Sequence, residues 1–288
     1  MSQTLLYKLD NLIEGIVIKR PSKYIKSPYV ADINCSDSDV EVLAHTASLG
    51  CCGLADVNAK VLMTLSSSKT KSRKLVKNEA NLKCTHTVYL SIVQEQIIGI
   101  HPKLAETLVE NAIKNNLLIR LQNISSYRKE VVIRVKNKVD SRFDFAGVDQ
   151  YGVPFIMEVK NVPLADYEDV TAKERLKMDF TGRAFDSKVA YFPDGYRKKA
   201  TDTVSPRALK HIRELTTIKE GSNIRCIMCY VIQRTDVNRF QPSVIDPEYR
   251  DAFYKAVAVG VEIITMVVSW NSLGEAHFIR DDLPITPL

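Results

Sequence analysis

Residues 141–160, SRFDFAGVDQYGVPFIMEVK, constrain this chain more than any other stretch. They read as two short strands around a Gly turn. Asp144 lies near the start of the first, and Glu158-Val159-Lys160 closes the second. Side chains alternate faces along a strand, so Glu158 and Lys160 share one face and Val159 takes the other. Phe155, Ile156, Met157 and Val159 leave few polar positions, so an acid and a lysine two residues apart need a reason. Metal-assisted phosphodiester hydrolysis supplies one. Two carboxylates hold a divalent ion, and a cation beside the attacking water aligns it or stabilises the charged transition state. An exposed hairpin carrying an i, i+2 ion pair supplies another, and D-x13-E-x-K is too short and degenerate to decide between them.

The chain of 288 residues is long enough for two domains. Its first 100 residues alternate β-rich runs with turns: EGIVIKR, PYVADINC, DVEVLAHT, AKVLMTLS and TVYLSIVQEQIIGI. Several short strands in so little chain predict a small barrel, and five strands fit the OB-fold. From Pro102 the period changes. PKLAETLVENAIKNN sets Leu104, Leu108, Ala112 and Ile113 on one helical stripe, opposite Glu106, Glu110 and Lys114. Strands follow at about 131–148 and 153–161, then a long polar stretch to about 203. A helix opens at Ser205-Pro206, a hydroxyl cap with Pro at the first helical position. The strand IRCIMCYVIQ, the helix DPEYRDAFYKAVAVG and the strand VEIITMVVSW complete an α/β sandwich on a mixed sheet over 101–288.

Apolar content of 45% and charged content of 26% are those of a soluble globular protein. The longest apolar stretch, around Ala256–Val268, is broken by Glu262, which excludes a spanning helix there. Lys8, Asp10 and Glu14 interrupt the N-terminal apolar residues, so no signal-peptide core is expected. The expectation is a cytoplasmic or otherwise intracellular protein with reduced cysteines and no membrane partner. Cys226 and Cys229 form a C-x2-C inside a run that reads as a buried strand, which favours core thiols over zinc. The histidines are scattered and no serine sits in a nucleophile elbow, so serine or cysteine hydrolase chemistry has no support.

Net charge is +6, and its placement matters more than its size. Between Lys60 and Lys83 lie Lys60, Lys69, Lys71, Arg73, Lys74, Lys77 and Lys83 against Glu79 alone. The run SSSKTKSRKLVK is either a solvated loop or a phosphate-binding one. With Lys19, Arg20, Lys23, Tyr24 and Lys26 it suits the basic, aromatic face on which such barrels bind oligonucleotides.

Six segments, in order, resemble the sugar fermentation stimulation protein A (SfsA) family: SRFDF (141–145), MEVKNV (157–162), FPD (192–194), LKHIREL (209–215), VIQRTDV (231–237) and IDPEYRDAFYKAVAVGVEI (245–263). The resemblance implies an N-terminal OB-like DNA-binding domain and a C-terminal domain of the PD-(D/E)xK nuclease type. It implies that Asp144, Glu158 and Glu130 bind Mg²⁺, or Mn²⁺, with the Val159 carbonyl as a further ligand. Glu130 corresponds to an acid that similar nucleases place on a helix. Lys160 would orient or activate water. Gln233 and Arg234 form a QR pair set to touch a phosphate or hold the lysine. Lys210 and His211 match a K-H step on the helix beside the site. The family usually carries an N-T-G step where this chain reads His45-Thr46-Ala47-Ser48-Leu49-Gly50. The stretch 163–203 is also longer than the family's connection and carries Lys173, Arg175, Lys177, Arg183, Lys188, Arg197, Lys198 and Lys199. A lid, a nucleic-acid clamp or an unstructured insert all fit it. Three functions follow: a Mg²⁺-dependent DNA nuclease, a DNA-binding regulator retaining the nuclease fold, and an RNA-processing protein, with DNA favoured over RNA.

Overall fold

A computed structural model describes residues 4–47, 53–66, 83–193 and 203–287. The chain starts with β1 (Thr4–Lys8) and then forms β2 (Ile13–Lys19), β3 (Val30–Cys35), β4 (Glu41–Thr46), β5 (Lys60–Leu65), β6 (His86–Val93) and β7 (Gln96–Gly99). Helix α1 (Pro102–Lys114) leads into β8 (Ser126–Val135), β9 (Val139–Val148) and β10 (Pro154–Val162). After them come β11 (Ala165–Asp166), the single turn α2 (Ala172–Arg175), β12 (Lys188–Phe192) and α3 (Pro206–Gly221). The chain ends with β13 (Arg225–Ile232), β14 (Val237–Pro242), α4 (Pro247–Ala258), β15 (Glu262–Trp270) and β16 (Glu275–Arg280).

Strands β2 to β6 make a closed OB-like barrel in the order β4-β3-β2-β5-β6, sealed by a parallel β4–β6 pairing. Alternation drives it: on β2, Gly15 and Val17 point inward and Ile16 and Ile18 outward. Val17, Ile33, Ala44, Val61, Met63 and Val88 fill the interior. The run TVYLSIVQEQIIGI folds back on itself at Gln94, whose φ of 56° turns the hairpin between β6 and β7.

The larger sheet runs β1-β16-β15-β13-β10-β9-β8. Its central strands β10, β13 and β15 are parallel, so both faces are covered and the strands read as nearly continuous apolar runs. On β13, Ile227, Cys229 and Val231 pack under α1, while Cys226, Met228, Tyr230 and Ile232 pack under α3 and α4. The C-x2-C thiols are therefore on opposite faces of a core strand. The stripe Leu104, Leu108, Ala112 and Ile113 buries α1 against this sheet. Ser205 caps α3 by accepting from the Ala208 N–H at 3.4 Å, and Asp246 caps α4 through the Tyr249 N–H at 3.2 Å.

Two features differ from the sequence reading. Strand β1 precedes the barrel but pairs with β16, so residues 4–8 extend the larger sheet rather than the barrel. The stretch after β10 is not a plain loop. Strand β12 pairs in parallel with β14 in a three-stranded sheet, and Val189, Ala190 and Tyr191 are buried. A five-residue strand inside a polar segment is too short for its period to stand out. Among the described residues, no helix is long and apolar enough to cross a membrane.

Candidate functional site

The site forms where β9 and β10 part. Their antiparallel ladder runs from Pro154–Val148 to Met157–Phe145. One further step would set Glu158 opposite Asp144, but there the side chain replaces the backbone. The Val159 N–H donates to Asp144 Oδ2 at 2.7 Å. Strand β9 also changes faces at this residue, since Phe143 packs with α3 and Phe145 packs with α1. Across β9, Glu130 has φ 53° and drops out of the β8–β9 ladder at the same level. In a strand the N–H and C=O of one residue point to the same edge, so the Val159 carbonyl also faces this gap.

Glu158 lies on the α3 side of β10 and is only 2% exposed. Its Oε1 meets both the Lys160 ammonium and His211 Nδ1. Its Oε2 is buried and accepts no hydrogen bond among the described residues. Burial pushes the Glu158 carboxyl up, but Lys160 and His211 outweigh it and hold it below the usual range. Asp144 moves the other way. Burial first, and the neighbouring Glu158 second, raise its carboxyl to about 7, against the Val159 N–H and Lys160. Two acids forced together in a poorly solvated gap cannot both stay charged without a cation. Glu106 on α1 adds to this repulsion of charge on Asp144.

The structure thus brings Asp144, Glu158, the Val159 carbonyl, Lys160 and His211 together. The other residues singled out from the sequence have different partners. Glu130 is on a strand, not a helix. It is exposed and bonded to Lys103 at 3.3 Å and Arg142 at 3.5 Å. The helical acid near Asp144 is Glu106, itself 2.7 Å from Lys103. Sequence reasoning left Glu106 on a solvated helix face, because only the docking of α1 on β10 turns it toward the gap. Gln233 is fully buried. It accepts from Trp270 Nε1 at 2.9 Å and donates to Asn161 Oδ1 at 2.7 Å. Arg234 is 4% exposed, gripped by both oxygens of Asp236 at 2.7 Å and donating to the Pro163 carbonyl at 3.0 Å. Both residues are structural ties in this arrangement, since the QR step passes under the barrel instead of over the gap. Lys210 donates to the Asp140 carbonyl at 2.6 Å and so clips α3 to β9.

On the barrel, Arg20 donates to the Pro28 carbonyl at 2.9 Å, and Lys23 pairs with Glu41 at 2.7 Å. Lys26 is exposed. Lys69, Lys71, Arg73, Lys74 and Lys77 lie outside the described residues.

Among the described residues, no three Asp, Glu, His or Cys side chains gather closely enough to hold an ion by themselves. Asp144, the orphaned Glu158 Oε2 and the Val159 carbonyl are nevertheless all hard oxygen donors. That set suits a cation that takes one or two carboxylates and completes its shell with water and phosphate, as Mg²⁺ does.

An OB-like barrel joined to a mixed sheet with paired acids and a lysine at the parting of two strands defines a nuclease-fold protein. The chain belongs to the SfsA family: the model of the sugar fermentation stimulation protein RE domain matches residues 103–173 and 181–274. Relatives include the sugar fermentation stimulation protein homolog of Synechocystis sp., 27% identical over 90% of both chains. That of Magnetococcus marinus is 29% identical over 82% of this chain and 83% of its own. The solved structure of Pyrococcus furiosus SfsA in complex with Ca²⁺ superposes with a TM-score of 0.69 at 18% identity, covering 99% of this chain and 100% of that one.

Proposed function

We propose that this protein is a divalent-cation-dependent nuclease acting on DNA, with Mg²⁺ as its ion and Mn²⁺ as a substitute. The observation that carries this reading is the buried, unpartnered Glu158 Oε2 beside an Asp144 whose carboxyl is raised to about 7. A buried carboxylate oxygen with no donor costs free energy that a cation would recover. The Pyrococcus furiosus protein carries Ca²⁺, which takes the same oxygen ligands, and this supports a divalent ion here. Asp144, Glu158 Oε2 and the Val159 carbonyl would hold it. When bound, such an ion polarises a phosphoryl oxygen and lowers the pKa of water. His211 and Lys160 fix Glu158 Oε1 and so leave Oε2 as the ligand oxygen. The Lys160 ammonium, on a side chain 13% exposed, would orient water or meet charge building on the phosphate.

A non-catalytic DNA-binding regulator is the second reading. It is favoured by the depth of Glu158 and by the commitment of Arg234 to Asp236.

Cleavage of single-stranded, duplex and branched DNA with Mg²⁺ or Mn²⁺ separates the two. The nuclease reading expects metal-dependent cleavage by the wild type and its loss in both Asp144→Asn and Lys160→Ala, with DNA binding retained, because phosphate contacts elsewhere supply most affinity. Metal binding by calorimetry should fall in Asp144→Asn and persist in Lys160→Ala. Wild-type protein that binds DNA equally with and without Mg²⁺ and cuts no DNA or RNA form with either ion would favour the regulator reading.

A further inference from the structure

Beyond the ends of β10 and β13 lies a cavity of about 370 Å³ that the site above does not use. One wall is the β6–β7 hairpin of the barrel (Val93, Gln94), and the other is the segment after β11 (Tyr167, Met178, Phe180). Its size is that of a small-ligand pocket. Its floor is charged and nearly dry. Lys188 and Arg234 share Asp236, each at 2.7 Å, with side-chain exposures of 9%, 5% and 2%. Nearer the rim, Arg175 is matched by Asp166 at 2.7 Å. One acid set against two cations leaves the floor with an excess of one positive charge. Lys188 also donates to the Phe185 carbonyl at 2.9 Å and lies 3.8 Å from the centroid of that ring, so the fold meets part of the excess, and the positive potential that remains favours an anion at the mouth of the pocket.

The walls narrow the class of anion. Tyr167 and Phe180 lie 5.4 Å apart at 31° and are only half-buried, and Met178 is 43% exposed. A bare phosphate would satisfy the floor and leave these surfaces wet. A nucleotide carries both the anion and a flat π-face that stacks on aromatic side chains. The location agrees. Pro163 and Leu164 follow directly on β10, so the pocket is about 13 Å of extended chain past Lys160. Sites beyond the carboxyl ends of parallel strands are also where open α/β sheets bind ligands.

We propose that this pocket takes one unpaired nucleotide of a DNA strand, its phosphate at the mouth, drawn by the excess charge of the Lys188–Arg234–Asp236 floor, and its base against Phe180 and Tyr167. The proposal rests on the nucleic-acid reading above and makes a single-stranded segment near the site part of the substrate.

The test measures fluorescence anisotropy with a labelled single strand of about a dozen nucleotides and with a blunt duplex of the same sequence. Wild type is compared with Phe180→Ala and with Val93→Glu, which sets a negative charge on an exposed hairpin and leaves the core intact. Each variant should weaken single-strand binding about fivefold or more, as expected for losing one stacked base, and leave duplex binding unchanged. Unchanged single-strand binding in both variants, or equal losses on both DNA forms, would overturn the proposal. If wild type binds neither form, the nucleic-acid reading itself fails. The pocket is then decided by calorimetry with 5′-dAMP: binding that Phe180→Ala abolishes sustains a nucleotide site, and no binding ends it.

Discussion

Asp144 sits under opposing demands. The Val159 N–H asks it to be an anion, while burial and Glu158 ask it to be neutral, and the second pair prevails with a carboxyl near 7. The consequence for stability has a definite sign. Between about pH 4 and pH 7 the folded protein holds a proton on Asp144 that the unfolded chain has released, so metal-free stability falls as pH rises through that window. The variant Asp144→Asn keeps the acceptor for Val159 and removes the titration. Its gain in unfolding free energy over wild type should therefore grow from about pH 4 to about 7 and then level off. The ceiling is about 4 kcal/mol, at roughly 1.4 kcal/mol per pKa unit, and denaturant titrations in chelator would read it. A gain that shrank with pH would contradict the raised carboxyl. Divalent-ion affinity should rise with pH over the same window, because Asp144 must lose its proton to act as a ligand.

At the scale of elements, the informative contact is between β7 and the end of β13. The Gly99 N–H donates to the Gln233 carbonyl at 3.1 Å. A Cβ on Gly99 would lie 1.9 Å from Gln233 Oε1 and 2.7 Å from Trp270 Nε1. Gly99 therefore lets barrel backbone lie directly on a polar core contact, and Gln233 in turn holds Asn161, the neighbour of Lys160. Gly99→Ala must displace the Trp270–Gln233 hydrogen bond. It should cost about 1–3 kcal/mol, the penalty for a buried polar group left unpaired, and lower the melting temperature with a change in tryptophan fluorescence, since Trp270 is the chain's single tryptophan. An unchanged melting temperature would mean that the barrel shifts freely against the sheet. Much of this level was legible in sequence. The apolar stripe of α1, the Ser205-Pro206 start of α3 and the five barrel runs each carry a local period or cap. Strand β12 and the docking of Gln233 carry neither.

Over the whole molecule, the barrel and the larger sheet are fastened at several points. Leu62 and Leu90 of the barrel join the apolar layer beneath α1, Leu164 and Tyr191 enter the barrel's own core, and β1 reaches across to β16. Charge is distributed less evenly, with the Lys60–Lys83 segment carrying an excess equal to that of the entire chain. If that segment contacts phosphates, reversing Lys71, Arg73 and Lys74 to Glu should weaken binding to all duplex sequences alike. It should also flatten the dependence of log affinity on log salt by about 0.9 per lost contact. Fluorescence anisotropy from 50 to 200 mM salt measures this. An unchanged slope would make the segment solvated surface.

The sequence by itself determined what local chemistry can encode. Glu158 and Lys160 share a face because a strand alternates, the five barrel runs close because each has an inner side, and Cys226 and Cys229 are core thiols because their strand is apolar throughout. Only the tertiary structure decided which acids meet. Glu106 approaches Asp144 because α1 docks on β10, Glu130 is tied to Lys103 and Arg142 where β8 turns at a positive φ, and Arg234 is held by Asp236, which it shares with Lys188. Proximity of charges across distant elements depends on packing, which no residue period records. That is why the E-x-K strand and Asp144 were readable in one dimension and Glu106 was not.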